Sequence, residues 1–270
     1  MRRKLLSAPY LVWILCGTLI PMAMVFYYGL TGDQGGFTLS NIAAIAETGH
    51  AKALWTSVLL SLVSTVICLL LAYPLGLILK KSGMGQKGLL VFLFVLPMWM
   101  NFLLRTMAWQ VLLEKKGVIN TILQSLGFSG LRLINTPTAI VMGMVYDFLP
   151  FMVMPIYNVL AKIDDRVIEA ARDLGANNFQ VFRYIILPLS VPGIVSGVTM
   201  VFVPALTTFV ISNMLGGGKI LLIGNVIEQE FTVGNNWHLG AGLSLVMMIF
   251  ILVSMAFIAK FDKNGEGNTF

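Results

Sequence analysis

Residues 162–188 read KIDDRVIEAARDLGANNFQVFRYIILP. This polar, charged stretch joins two long apolar blocks, at about 138–161 and 185–211. Asp164 or Asp165 can cap a helix start, and Val167, Ile168, Ala171 and Leu174 then fall on one face at helical spacing. Gly175 permits a sharp turn, and a second short helix with Phe179 and Phe182 leads back to the apolar block at Pro188. The stretch therefore reads as a helix–turn–helix elbow on a membrane surface.

Working outward, a spanning helix needs about 20 mostly apolar residues. Six stretches qualify, at about 9–30, 54–79, 88–113, 138–161, 185–211 and 239–260. They are continuously apolar and lack the alternation of a membrane barrel, so the expected fold is an all-α membrane protein with about six transmembrane helices. Composition agrees. Of 270 residues, 57% are hydrophobic and 11% charged, whereas a soluble domain carries about 25% charged residues. The even spread of apolar blocks makes residues 1–270 a single transmembrane domain, with the elbow at 162–188 inside it. The first block is too long for a signal core and has no small-x-small cleavage site, so a retained helix is expected. Cys16 and Cys68 form no CxxC pair, and no metal or disulfide framework follows from them. The polar tail from Asp262 to Phe270 reads as loose.

Basic residues set the orientation. With the amino terminus inside, the inner set is Arg2, Arg3, Lys4, Lys80, Lys81, Lys87, Lys162, Arg166, Arg172, Arg183, Lys260 and Lys263. The outer set is Lys52, Lys115, Lys116, Arg132 and Lys219, and the loop after the third span is a local exception. Both termini are thus expected in the cytoplasm. The net charge of +6 is accounted for by this topology, and nucleic acid is not an expected partner. Pro97, Pro150, Pro155, Pro188, Pro192 and Pro204 lie in the spans, where proline kinks a helix. Simple kinked packing and a moving gate both remain open for them.

The spacing EAA-x3-G-x9-I-x-L-P resembles the signature of the inner-membrane components of binding-protein-dependent ABC importers. Glu169, Ala170, Ala171, Gly175, Ile185, Leu187 and Pro188 all match it. The resemblance implies a type I importer permease of the bacterial inner membrane, working by alternating access. It implies that the elbow is a coupling helix seated in a groove of an ATPase subunit. Ala170 and Ala171 would permit close approach, Glu169 would supply an anionic contact and Gly175 would set the angle between the arms. Implied partners are an ATPase dimer, a second related permease, an extracytoplasmic substrate-binding protein and membrane lipid. No cofactor is expected on this chain, with ATP and Mg used by the partner ATPase. A phosphate-binding loop requires G-x4-G-K and a hydroxyl residue. The run Gly216-Gly217-Gly218-Lys219-Ile220 lacks the first glycine and the hydroxyl.

Along nearly the whole chain the sequence is similar to spermidine/putrescine permeases, through Leu96 to Asn101, Leu149 to Pro155, Glu169 to Gly175, Leu215 to Lys219 and Leu222 to Val226. Asn213 stands where related sequences often carry Asp. A polyamine path calls for carboxylates and aromatic faces, which makes Trp99, Asn101, Tyr146 and Asp147 candidates. Asp147, however, has a rival partner. Arg105 on the third span and Asp147 on the fourth fall at similar depth, roughly 12–14 Å below the outer surface at 1.5 Å per residue. An Arg105–Asp147 ion pair and direct cargo contact by Asp147 are the two readings. Glu228, Glu230, His50 and His238 read as solvated residues of outer loops. The rival functions are an ABC permease for another small solute and an ion-gradient secondary transporter, which would usually show repeat architecture.

Overall fold

A computed structural model describes residues 8–32, 34–82 and 96–266. The first apolar block forms one rod, α1, from Ala8–Ile14, a π turn Leu15–Leu19 and Ile20–Leu30. Short α2 (Ser40–Ala43) precedes α3 (Thr48–Lys81), and α4 covers Phe102–Leu113. Short α5 (Val118–Ser125) leads to α6 (Pro137–Leu160), and α7 (Asp165–Asp173) is the first arm of the elbow. A single rod, α8, follows over Asn178–Thr207. It is followed by α9 (Val210–Leu215), α10 (Ile223–Thr232) and α11 (Trp237–Glu266). Among the described residues, five helices are long and apolar enough to cross a membrane: Val12–Leu30, α3, α6, α8 and Trp237–Lys260.

The predicted third span, 88–113, begins outside the described residues, as do Arg2, Arg3, Lys4 and Lys87. Within its described part the chain is not one rod. It breaks at Met100–Asn101, because the Asn101 side chain accepts from Leu103 N (2.9 Å) and Leu104 N (3.3 Å) and so caps a new helix. The fifth stretch also ends earlier than 211. Thr208 turns to an extended conformation, which separates α9 from α8. At the carboxyl end α11 runs on through Glu266, so the tail expected to be loose from Asp262 is helical as far as it is described.

Helices α3, α6 and α8 pack together around Cys68, Met144, Met152, Ile156, Leu160 and Val201. Lipid is as apolar as these side chains, so close packing rather than hydrophobic exclusion holds such helices together. Glycines make that approach possible. A Cβ on Gly193 would stand 3.0 Å from Pro155 O, and one on Gly197 would stand 2.7 Å from Met152 Sδ. Helix α1 packs against α11, where Gly29 faces the Ala241 backbone. A second core joins α8, α10 and α11 through Phe202, Leu206, Ile223, Leu243 and Met247. Two buried hydroxyls on α3 bond within their own helix, Ser64 donating to Leu60 O and Thr65 to Ser61 O, each at 2.7 Å.

Four residues read as solvated loop positions lie in helices instead. His50 is in the first turn of α3, with Nδ1 2.7 Å from Ala44 O. His238 is in the first turn of α11, its Nδ1 2.6 Å from Thr31 O and its ring edge-on to Tyr28. Both imidazoles find backbone carbonyls where the chain enters a helix. Glu228 and Glu230 are half-buried on α10 rather than on a free loop.

Candidate functional site

The elbow is built from paired caps. Asp164 starts α7 by accepting from Arg166 N at 2.9 Å. The helix ends where Gly175 adopts φ +86°, with Gly175 N donating to Arg172 O (2.8 Å) and Ala176 N to Ala171 O (3.0 Å). These two bonds form a Schellman closure, which satisfies terminal carbonyls and favours glycine in the left-handed position. Asn177 and Gln180 then make a reciprocal capping box at 2.9 and 2.8 Å. Arg172 Nη2 reaches Asn178 Oδ1 at 3.3 Å and ties the two arms.

The second arm has no joint with the membrane helix. Asn178–Val181 runs through a π turn, Phe182–Ile186, directly into Leu187–Thr207. Pro188 explains the wider turn, since it has no N–H to donate to the ladder and its ring displaces the carbonyl one turn earlier. Leu187 N accordingly bonds back to Phe182 O. Leu187 and Pro188 thus begin the regular helix.

The face expected to hold Val167, Ile168, Ala171 and Leu174 together divides in two. Ile168 and Ala171 are half-buried, whereas Val167 is exposed and Leu174 is 89% exposed. Phe179, 72% exposed, extends this apolar crest onto the second arm. Glu169 and Ala170 are exposed beside it. The helix is short and bounded by caps, so only one narrow edge can turn toward the bundle. The remaining apolar side chains stand free for a partner.

Behind the crest lies a cleft of about 540 Å³, lined by Lys80, Lys81, Asp165, Glu169 and Arg172 among others. Lys80, at the end of α3, crosses it. Its Nζ donates to Ile163 O at 2.9 Å and lies 3.0 Å from Asp165 Oδ1. The sequence reading placed Lys80 only among topological charges. Nothing in its local sequence indicates a contact with the elbow.

Arg105 and Asp147 meet between α4 and α6. Arg105 Nε lies 2.5 Å from Asp147 Oδ1, a charge contact off the ideal hydrogen-bond direction. Thr106 donates to Asp147 Oδ2 at 3.4 Å, Arg105 Nη1 donates to Pro97 O at 2.6 Å, and the guanidinium sits 5.7 Å from the Tyr146 ring centroid. Asp147 is 1% exposed. The guanidinium therefore joins the broken third stretch to α6. Tyr146 is partly open and edge-on to Trp109, Trp99 is exposed, and Asn101 is occupied as a helix cap. Tyr146 and Asp147 thus both neighbour the Arg105 side chain, whereas Asn101 is engaged in starting α4.

A cavity of about 580 Å³ that the sequence did not indicate lies beside the break after α8, between Thr207, Phe209, Glu228, Phe231, Met247 and Ile251. Asn225 organises its neighbourhood. Its Nδ2 donates to Phe209 O (3.0 Å) and Asn213 Oδ1 (2.7 Å), and its Oδ1 accepts from Leu222 N (3.0 Å). Asn213 therefore has a structural partner without needing a charge.

A bundle of proline-bearing spanning helices with a capped elbow between its fourth and fifth apolar stretches, its apolar crest turned away from the bundle, is the architecture of a membrane subunit. The chain belongs to the family of binding-protein-dependent transport system inner membrane components, whose family model matches residues 72–264. It is 40% identical over 263 residues to the spermidine/putrescine transport system permease protein PotB of Haemophilus influenzae, covering 93% of this chain and 92% of that one. The PotB protein of Escherichia coli is 38% identical over 245 residues, covering 88% and 89%. In fold, the chain resembles a chain of a bacterial alginate ABC transporter solved in complex with an alginate pentasaccharide-bound periplasmic protein. The TM-score is 0.78 at 16% identity, covering 95% and 93% of the two chains. The protein is thus a multi-pass inner-membrane permease of an ABC importer, with the all-α fold of the type I class.

Proposed function

We propose that this chain is the permease subunit of an ATP-dependent importer that moves polyamines of the spermidine/putrescine class into the cell. Extensive identity to polyamine permeases supports the cargo. The observation that carries the mechanism is the elbow: a rigidly capped α7 with an exposed apolar crest, continuous through its second arm with α8. In this reading both termini and the elbow face the cytoplasm. The crest and Glu169 sit on a separate ATPase subunit, which binds ATP and Mg. A second, related permease supplies the other half of the path, and an extracytoplasmic binding protein delivers cargo. Exposed Leu62, Leu70, Leu252 and Phe257 meet lipid or that second permease.

The Arg105–Asp147 pair favours a structural role for Asp147, because a fully buried carboxylate already held by a guanidinium has little capacity left for an ammonium. Trp99 and Tyr146 are exposed aromatics of the kind that a polyamine would meet by cation–π contact.

The test is reconstitution with the ATPase, second permease and binding protein in proteoliposomes. Uptake of labelled spermidine or putrescine that requires ATP is expected. ATP-driven uptake of another solute, with polyamines refused, overturns the cargo. Uptake that persists without ATP overturns the drive.

A further inference from the structure

At the end of the bundle opposite the elbow, three cations from three separate segments share one open cavity of about 380 Å³. Lys115 follows α4, Arg132 precedes α6, and Lys219 lies between α9 and α10. Ile134, Asn135 and Thr136 complete the lining, with no carboxylate. All three cations are exposed, and none is in an ion pair among the described residues. Glu114 precedes Lys115 in sequence but does not line the cavity.

The segments that carry these charges are pinned. Buried Asn120 donates to Glu114 O and Leu131 O, both at 3.0 Å, and accepts from Leu131 N at 2.8 Å, which fixes the approaches to Lys115 and Arg132. Asn135, at φ +61°, donates its N–H to Leu215 O at 2.8 Å. Its side chain lies where a Cβ on Gly217 would collide, and Gly217 is at φ +59°. The Lys219 loop is thereby keyed to the Arg132 loop. Three like charges are held together by the backbone rather than left to spread apart.

Such a cluster repels a polycation, so it has no place in a polyamine path. It also concentrates positive charge on the side that topology ordinarily depletes of it. The Thr136 hydroxyl at its wall donates to Leu133 O (2.5 Å) and is not directed at a ligand. The cavity opens to the surface between three exposed cations, which lets carboxylates projecting from a second macromolecule reach all of them.

We propose that Lys115, Arg132 and Lys219 form a docking site for an acidic patch on the substrate-binding protein of this transport system. The proposal rests on the importer reading and on the orientation that puts this end outside. Charges at the margin of such a contact act mainly on association rate and salt dependence.

The test uses the complete transporter in lipid nanodiscs and its binding protein. Kd and ATPase stimulation are measured for wild type, for the triple variant Lys115→Glu, Arg132→Glu, Lys219→Glu, and for Lys52→Glu as a charge control on another part of the same side. At about 50 mM salt the triple variant should bind roughly tenfold more weakly. The difference should shrink severalfold at about 0.5 M salt, where screening shortens to a few ångströms. Basal ATPase should persist, stimulation should recover at saturating binding protein, and the triple arginine/lysine exchange should bind normally. Unchanged affinity in an assembled triple variant, or an equal loss in Lys52→Glu, overturns the docking site. Loss of inorganic phosphate binding with unchanged affinity for the binding protein also overturns it, in favour of a free-anion pocket. A wild-type complex indifferent to its binding protein overturns the importer reading itself. If the triple variant does not assemble, the single variants replace it, and none shifting the salt dependence sinks the site.

Discussion

Tyr73 Oη and Ser190 Oγ lie 2.8 Å apart in the buried seam between α3 and α8. Ser190 Oγ also donates to Leu187 O at 2.8 Å, so Tyr73 is the donor in a short chain that ends on the motif residue Leu187. The Tyr73 ring is edge-on to Phe182 in the π turn. Tyr73→Phe should keep the ring contact and lose one hydrogen bond, at a cost of about 1 kcal/mol. Thermal unfolding in detergent should show that small loss, while transport per ATP falls more than stability does. Equal transport efficiency in the variant would remove Tyr73 from the coupling path.

Lys80 and Asp165 offer a graded test. Asp165 is largely exposed, so Asp165→Asn should cost less than about 1 kcal/mol. Lys80→Met also strips the partner from Ile163 O, adding about 1 kcal/mol. ATP hydrolysis that continues with reduced uptake is the expected signature of Lys80→Met. A charge exchange, Lys80→Asp with Asp165→Lys, should recover part of the uptake. No difference between the two single variants would place the contact outside the coupling step.

Gly175 is a conformational requirement rather than a steric one, since nothing lies within 4 Å of where its Cβ would be. At φ +86° an ordinary side chain costs roughly 1–2 kcal/mol. Coupled ATP hydrolysis should therefore fall in the order Gly175→Asn, Gly175→Ala, Gly175→Val, with Asn mildest because it tolerates the left-handed region. A flat series would mean that the angle between the arms is immaterial.

For Arg105 and Asp147, removing one partner strands the other, typically at about 3–5 kcal/mol. Asp147→Asn should therefore lower the yield of assembled complex. The double apolar variant Arg105→Met, Asp147→Met should recover most of it. If Asp147→Asn assembles normally yet loses uptake, the carboxylate serves the cargo and the structural assignment fails.

The long apolar blocks and the elbow were legible because each rests on local patterns: hydrophobic runs for α1, α3, α6, α8 and α11, and cap residues around Gly175 for the turn. Breaks were harder to read. Asn101 ends one apolar run and Thr208 another, because a side-chain cap or an extended residue can interrupt a run without lowering its hydropathy. Depth along two antiparallel spans was enough to bring Arg105 and Asp147 together on paper. Lys80, Tyr73 and Asn225 escaped for the opposite reason. Their partners are distant in sequence, and no local signal marks a lysine that crosses a cleft or an asparagine that bridges two short helices.

The unbroken run from Asn178 to Thr207 makes the second arm of the elbow and the fifth apolar stretch one lever. At 30 residues it is roughly 45 Å long. A tilt of about 10° imposed at one end would then swing the other by roughly 8 Å, on that same rise per residue. That distant tip is Thr207, which borders the cavity holding Glu228 and presses its carbonyl toward Gly224. On the proposed coupling, a modest stroke by the ATPase subunit would become a larger displacement at the opposite end of the rod, and the stiffness of that one helix, with its π turn and prolines, would set the gearing.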